Sequence, residues 1–134
     1  MNKRVLTFGV FDCFHYGHLR LFKRCKKYGN KLIVAIQIDE QIKINKPNCD
    51  VIYNWDIRNE IVSSLRCVDE TIPYSQVFPD ITKIGFDILV VGGDQNHAGF
   101  QRAIEWCREN NKEVVVLQRT PNISSTKLRG LKSK

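Results

Sequence analysis

Gly9-Val10-Phe11-Asp12-Cys13-Phe14-His15-Tyr16-Gly17-His18 is the stretch on which the reading of this chain turns. Residues 5–8 before it are an apolar run of strand length that ends at Gly9. After it, Leu19, Phe22 and Cys25 recur at helical spacing through residues 16–28. The ten residues therefore carry a buried strand into a helix. His15 and His18 are three apart and share one face of the first helical turn. A helix N-terminus presents unpaired N–H groups and a partial positive charge, which suits a phosphate. Two imidazoles there add donors aimed at the same anion, and Gly17 between them leaves room for a phosphate to approach the backbone. A zinc site would need a further ligand close to the pair, and the stretch supplies none.

Outward from this stretch, strand and helix patterns alternate. Gly29-Asn30 supplies a stop for the helix over 16–28, and Lys23, Arg24, Lys26 and Lys27 suit its C-terminal half. Residues 32–38 read as a second strand. Residues 40–53, with Pro47, Asn48 and Asp50, read as irregular. A helix is expected over 55–67, capped by Asn54 with Asp56 in its first turn. A brief strand over 70–72 should stop at Pro73, and a short helix should follow Pro79. Residues 88–91 form an apolar strand halted by Gly92-Gly93. Residues 98–110 form a helix with Phe100, Ile104 and Cys107 in line, and 114–117 form the last strand. The polar loop 119–125 leads into a short C-terminal helix.

Strands that alternate with helices indicate an α/β fold. The expected architecture is a Rossmann-like single domain over residues 1–134, with a parallel five-stranded sheet and helices on both faces. Ligands of such sheets bind beyond the carboxyl ends of the strands. Three loops from distant parts of the chain, 9–18, 92–94 and 119–126, should therefore share one rim.

A length of 134 residues suits one core. No apolar run approaches the roughly 20 residues of a membrane span, and the start Met1-Asn2-Lys3-Arg4 shows no signal-peptide pattern. Cys13, Cys25, Cys49, Cys67 and Cys107 are odd in number and scattered, with no C-x-x-C pair. Free thiols in a reducing compartment, the cytoplasm, are expected. The net charge of +7 attracts polyanions, whether nucleic acid, an anionic membrane or a multiply phosphorylated small molecule. The basic tail of Lys127, Arg129, Lys132 and Lys134 suggests a nucleic-acid-binding module. The chain has no recognised motif or stacking strands for one, so neither nucleic acid nor membrane is expected as a partner.

The second motif is Arg119-Thr120-Pro121-Asn122-Ile123-Ser124-Ser125-Thr126-Lys127. Hydroxyls and N–H groups at a helix start, with the rigid donor fork of Arg119, suit phosphates. A plain helix cap beside a solvated arginine is the other reading of these residues.

The two motifs together resemble the cytidylyltransferase family of nucleotidyltransferases. H-x-G-H preceded by G-x-F-D stands here as Gly9, Phe11, Asp12, His15, Gly17 and His18. R-T-x-x-I-S-[ST]-T stands as Arg119, Thr120, Ile123, Ser124, Ser125 and Thr126. The resemblance implies that a phosphate oxygen of an acceptor attacks the α-phosphorus of a nucleoside triphosphate and pyrophosphate leaves. It implies that His15, His18, Lys46 and Arg119 stabilise the transition state. Gly9, Val10, Phe11, Gly17, Asp94, Thr120, Ile123, Ser124, Ser125 and Thr126 would bind the nucleotide, and Arg66, Asp39 and Lys43 the acceptor. Arg58, eight residues before Arg66 and about 80° away around a helix, is expected to be a surface or structural arginine. His97 is expected to be a surface histidine. Mg²⁺ is implied as cofactor, held largely by the nucleotide, with no dedicated protein metal site. The resemblance is nearest to members acting on CTP and glycerol 3-phosphate, through Val34-Ala35-Ile36, Asp39-Glu40, Val68-Asp69-Glu70 and the R-T-x-x-I-S-S-T form. Val91-Gly92-Gly93-Asp94-Gln95 looks closer to adenylyltransferases acting on heptose phosphate, and phosphocholine and phosphoethanolamine are other acceptors in the family. A homodimer is implied for members of this size. A catalytically dead nucleotide sensor would show damaged motifs, and these are intact.

Overall fold

The computed structural model describes residues 2–48, 51–93, 95 and 97–117. Its strands are β1 (Arg4–Gly9), β2 (Lys31–Gln37), β3 (Glu70–Tyr74), β4 (Ile88–Gly92) and β5 (Glu113–Leu117). They form one parallel sheet in the order β3-β2-β1-β4-β5. The expected α/β architecture is therefore present. The helices are α1 (Tyr16–Cys25), α2 (Asp39–Asn45), α3 (Trp55–Ser63), α4 (Val77–Asp80) running into a 3-10 turn (Ile81–Lys83), and α5 (Ala98–Glu109).

Side chains that alternate along each strand fill two cores, one on each face of the sheet. Val5, Leu32, Val34, Ile36, Ile88 and Val90 pack with Phe22 and Cys25 of α1 and Val62 of α3. Leu6, Phe8, Ile33, Ala35, Leu89 and Val91 face the other way, onto Val77, Ile81 and Phe100, Ala103 and Cys107 of α5. Two parallel runs of the chain thus diverge from β1, and the strand order reverses between β1 and β4. No helix among the described residues is long and apolar enough to cross a membrane, and the four described cysteines are free thiols.

Five element readings need correction; one is the helix expected over 55–67, which ends at Ser63. The segment 40–53 is not wholly irregular, because α2 occupies its start. That helix is too short for periodicity to reveal, and it buries only Gln41 and Ile42. Side chains anchor it instead: Ser75 Oγ donates to Gln41 Oε1, and Gln41 Nε2 donates to Asn45 Oδ1, both at 2.9 Å. The strand expected to stop at Pro73 continues to Tyr74. It lies at the sheet edge, where the missing N–H of proline costs no ladder bond. The helical turn expected after Pro79 begins at Val77, because Asp80 accepts from Ser75 N and Gln76 N and holds its entry. The first helix ends at Cys25, short of Gly29-Asn30. Gly29 serves a close approach: a Cβ there would lie 2.5 Å from the Lys3 carbonyl oxygen.

Candidate active site

β1 ends at Gly9, and the next residues make an unusual turn. Phe11 and Cys13 both lie in the left-handed region, with φ of 56° and 51°. Side-chain-bearing residues adopt that region at a cost, and such strain gathers at functional sites. Several contacts hold the turn. Asp12, between the two, accepts from Ile52 N at 2.7 Å and Tyr53 N at 3.0 Å. The Phe11 ring packs edge-on against Phe22 and His18. It also lies over Gly9, where an added Cβ would meet Phe11 Cζ at 2.5 Å. Gly9 is thus required by the ring that follows it.

The turn delivers His15 to the N-cap of α1. His15 Nδ1 accepts from Gly17 N at 3.0 Å, and His18 Nδ1 accepts from His15 N at 3.3 Å. This is a reciprocal capping box built from two imidazoles. The rings stack, with centroids 3.8 Å apart and planes 22° from parallel. A neutral imidazole whose Nδ1 accepts carries its proton on Nε2. Capping therefore sets both tautomers and leaves Nε2–H as the remaining donor on each ring. Burial, and next the neighbouring His15, push the His18 pKa down to about 3, against the opposing charge of Asp12. His18 is then a neutral donor at ordinary pH.

Arg58 is the structural arginine of its two expected readings. It is fully buried, not a surface residue. Its Nη1 donates to Val10 O at 2.8 Å and Gln37 O at 2.9 Å, its Nε to Tyr53 O at 3.1 Å, and its Nη2 to Asp39 Oδ1 at 2.5 Å. One guanidinium thus ties together the carboxyl ends of β1 and β2 and the loop before α3. The other Asp39 oxygen accepts from Trp55 N. Asp39, expected to bind the acceptor, has both oxygens engaged in this framework. Lys43 and Lys46 are exposed at the end of α2, which starts where β2 ends at the rim.

Arg66 does not join them within one chain. It is exposed in the turn between α3 and β3, where Asp69 N donates to Leu32 O. α3 has by then carried the chain back to the amino end of the sheet, opposite the histidines. The sequence order of the two arginines on one helical segment hid this, since spacing gives angle but not depth. His97 is exposed as expected and also caps α5 through Gly99 N. Asp94 and Arg119, Thr120, Ile123, Ser124, Ser125 and Thr126 lie outside the described residues.

Sequence reasoning missed Gln95. Its amide bridges Phe8 O on β1 and Gly92 N on β4, at 2.8 and 2.9 Å. In the sequence it stands only as the last residue of the Val91–Gln95 stretch, with no role of its own.

A cation with bound phosphates would find few carboxylates here. Among the described residues no group of three or more His, Cys, Asp or Glu could hold a metal ion. Asp12 and Asp39 are committed to backbone and arginine. This donor set fits an ion carried by phosphate oxygens rather than by a protein cage.

The sequence matches the family described as Cytidylyltransferase-like over residues 6–131. The chain is a member of that family. Glycerol-3-phosphate cytidylyltransferase of Staphylococcus aureus is 36% identical over 132 residues, covering 95% of this chain and 92% of that protein. Its Bacillus subtilis namesake is 36% identical over 130 residues, covering 95% of both. The bifunctional protein HldE of Hydrogenovibrio crunogenus is 35% identical over 132 residues, and this chain spans only 27% of it. The crystal structure of the lipopolysaccharide core biosynthesis protein from Thermoplasma volcanium is similar with a TM-score of 0.72 at 25% identity. It covers 88% of this chain and 96% of that one. This cytidylyltransferase-like nucleotidyltransferase thus keeps its histidine pair on the strand-to-helix turn that its fold places at the rim.

Proposed function

We propose that the protein transfers the cytidylyl group of CTP to glycerol 3-phosphate, giving CDP-glycerol and pyrophosphate. The stacked His15–His18 pair carries the reaction class: two Nε2–H donors sit at a helix N-terminus at the carboxyl end of β1. The full-length similarity to glycerol-3-phosphate cytidylyltransferases supports the choice of substrates.

A phosphate oxygen of the acceptor forms the new bond to the α-phosphorus. The bond from that phosphorus to the bridging oxygen breaks, and pyrophosphate departs with the electron pair. The nucleophile is already anionic near neutral pH, so no side-chain base is needed. Catalysis rests on positioning and on donors aimed at developing charge. His15 and His18 donate from Nε2, and the N-terminus of α1 adds its partial positive charge. Lys46 and Arg119 bring full charges to the phosphates in this reading, and Lys43 serves the acceptor. Gly9, Val10, Phe11, Gly17, Asp94, Thr120, Ile123, Ser124, Ser125 and Thr126 form the nucleotide's surroundings. Mg²⁺, bound by the nucleotide's own oxygens, offsets phosphate charge. A cytoplasmic homodimer and a role in building a cell-surface polymer complete the reading.

A second reading keeps the fold and reaction and changes the substrates. The similarity to HldE and the Gly92-Gly93-Asp94-Gln95 stretch favour it. Pyrophosphate release with Mg²⁺ separates the two. CTP and ATP are each tested with glycerol 3-phosphate, heptose 1-phosphate, phosphocholine and phosphoethanolamine. Release with CTP and glycerol 3-phosphate alone is expected; release with ATP alone, or with another acceptor alone, overturns the substrate choice.

A further inference from the structure

Among the described residues, the registered ladder between β1 and β4 stops at Val5–Ile88 and Leu6–Leu89, while β1 and β2 pair at six positions. Yet β1 continues to Gly9 and β4 to Gly92. Side chains bridge the rest. Thr7 Oγ1 donates to Val90 O at 3.2 Å, one step beyond the last rung. Farther along, Gln95 Nε2 donates to Phe8 O at 2.8 Å and Gln95 Oε1 accepts from Gly92 N at 2.9 Å. Its partners are a carbonyl and an N–H, so only one amide orientation satisfies both.

The gap lies where the strand order reverses, the crevice in which open parallel sheets bind ligands. Phe8 leads directly into Gly9 and the turn to His15, and Gly92 opens the Gly92-Gly93 turn. We propose that Gln95 is a positioning residue for the nucleotide: its amide replaces the missing β1–β4 rungs and fixes the opening between these two loops. This rests on the nucleotidyl-transfer reading above. Both ends of the amide are spent on backbone, so Gln95 acts through the walls of the crevice.

The kinetic consequence is specific. The histidines are held by their own capping box and by their mutual stacking, and His18 also by packing on Phe11 and Phe14, independently of Gln95. Loosening the opening weakens contacts made alike in ground and transition states. That raises the nucleotide KM and leaves kcat nearly unchanged. The acceptor KM should not move.

Two full-length variants test this. Gln95→Met keeps the length and removes both hydrogen bonds. Gln95→Glu accepts from Gly92 N–H when ionised but repels Phe8 O; when protonated it restores the donor. Steady-state kinetics should show nucleotide KM raised at least about tenfold in both variants at pH 8, with kcat within about threefold of wild type. The excess KM of Gln95→Glu over wild type should shrink as pH falls from 8 toward about 4.5, where a glutamate takes up its proton, a recovery that space-filling alone would not give. Should Gln95→Met not fold, the pH series on Gln95→Glu decides. An unchanged nucleotide KM, an equal fall in kcat, or a pH-independent defect in Gln95→Glu overturns the proposal. If the wild type turns over no substrate pair, the reaction assignment fails. Calorimetric Kd values for CTP and ATP then carry the test: tenfold weakening in the variants upholds the role of Gln95, and equal affinities or no wild-type binding overturns it.

Discussion

His15 and His18 cap the same helix through each other: the Nδ1 of His18 accepts the main-chain N–H of His15, while the Nδ1 of His15 accepts that of Gly17. One contact serves folding and chemistry at once, because it orders the turn and fixes which nitrogen of each ring remains a donor. His15→Asn and His15→Ala separate the two roles. Asparagine is among the best N-caps and should preserve stability, whereas alanine should cost about 1 kcal/mol. Both should lose activity. Denaturant melts and pyrophosphate release, measured on the same preparations, check the split.

His18 packs its ring against both Phe11 and Phe14. Its replacement by alanine removes a donor to the reacting phosphates and should lower kcat by about 10²–10³-fold, as for other preorganised donors. A kcat within threefold of wild type would remove His18 from the catalytic machinery.

The pH dependence follows from burial. The folded pKa of His18 is lowered to about 3, from 6.5 in the unfolded chain. Between these values the unfolded chain binds the extra proton, so stability rises with pH across this window. The contribution of His18 is complete above about 6.5 and is lost as pH falls toward about 3. ¹⁵N shifts of the imidazole should show the neutral Nε2–H tautomer persisting at pH 5. A ring titrating near 6.5 would contradict the buried capping arrangement.

Arg58 and Arg66 should behave oppositely. Arg58 is buried with four acceptors, and Arg58→Met leaves three carbonyls and Asp39 without their donor. Asp39 is partly exposed, so the cost comes mainly from the acceptors left without a donor, about 1–3 kcal/mol. Arg58→Lys should recover little, since an ammonium cannot reproduce the planar fork. Arg66→Ala, at an exposed turn, should change stability by less than about 0.5 kcal/mol. Thermal melts of the three variants test the assignment.

Gly9→Ala places a methyl 2.5 Å from the Phe11 ring. The ring must shift, taking the left-handed turn and the support of His18 with it. Overpacking of this kind costs about 1–3 kcal/mol, and activity should fall with it. Phe11→Leu in the same background, by freeing space, should restore part of the stability.

Much of the architecture was legible because it rests on local pattern. The apolar runs before Gly9 and Gly92, and the 3.6-residue spacing of Phe22 with Cys25, name the strands and helices and order them. The rim position of His15 and His18 then follows from parallel topology alone. What escaped depends on contacts between segments far apart in the chain. α2 buries two residues and is anchored by Ser75, at the end of the neighbouring β3. The depth of Arg58 comes from carbonyls on β1 and β2, and that of Arg66 from the direction of α3. Gln95 matters because β1 and β4 part, which neither strand's sequence reveals. Asp12 looked like a signature residue, and its carboxylate proves to clamp the loop at Ile52 and Tyr53.

The most direct test is ³¹P NMR of a reaction containing the protein, Mg²⁺, CTP and glycerol 3-phosphate. Loss of the CTP resonances, a coupled diphosphate pair from CDP-glycerol and an equimolar pyrophosphate signal are expected, and none of these changes appears with His18→Ala. Unchanged CTP, or orthophosphate without a coupled diphosphate pair, would contradict cytidylyl transfer.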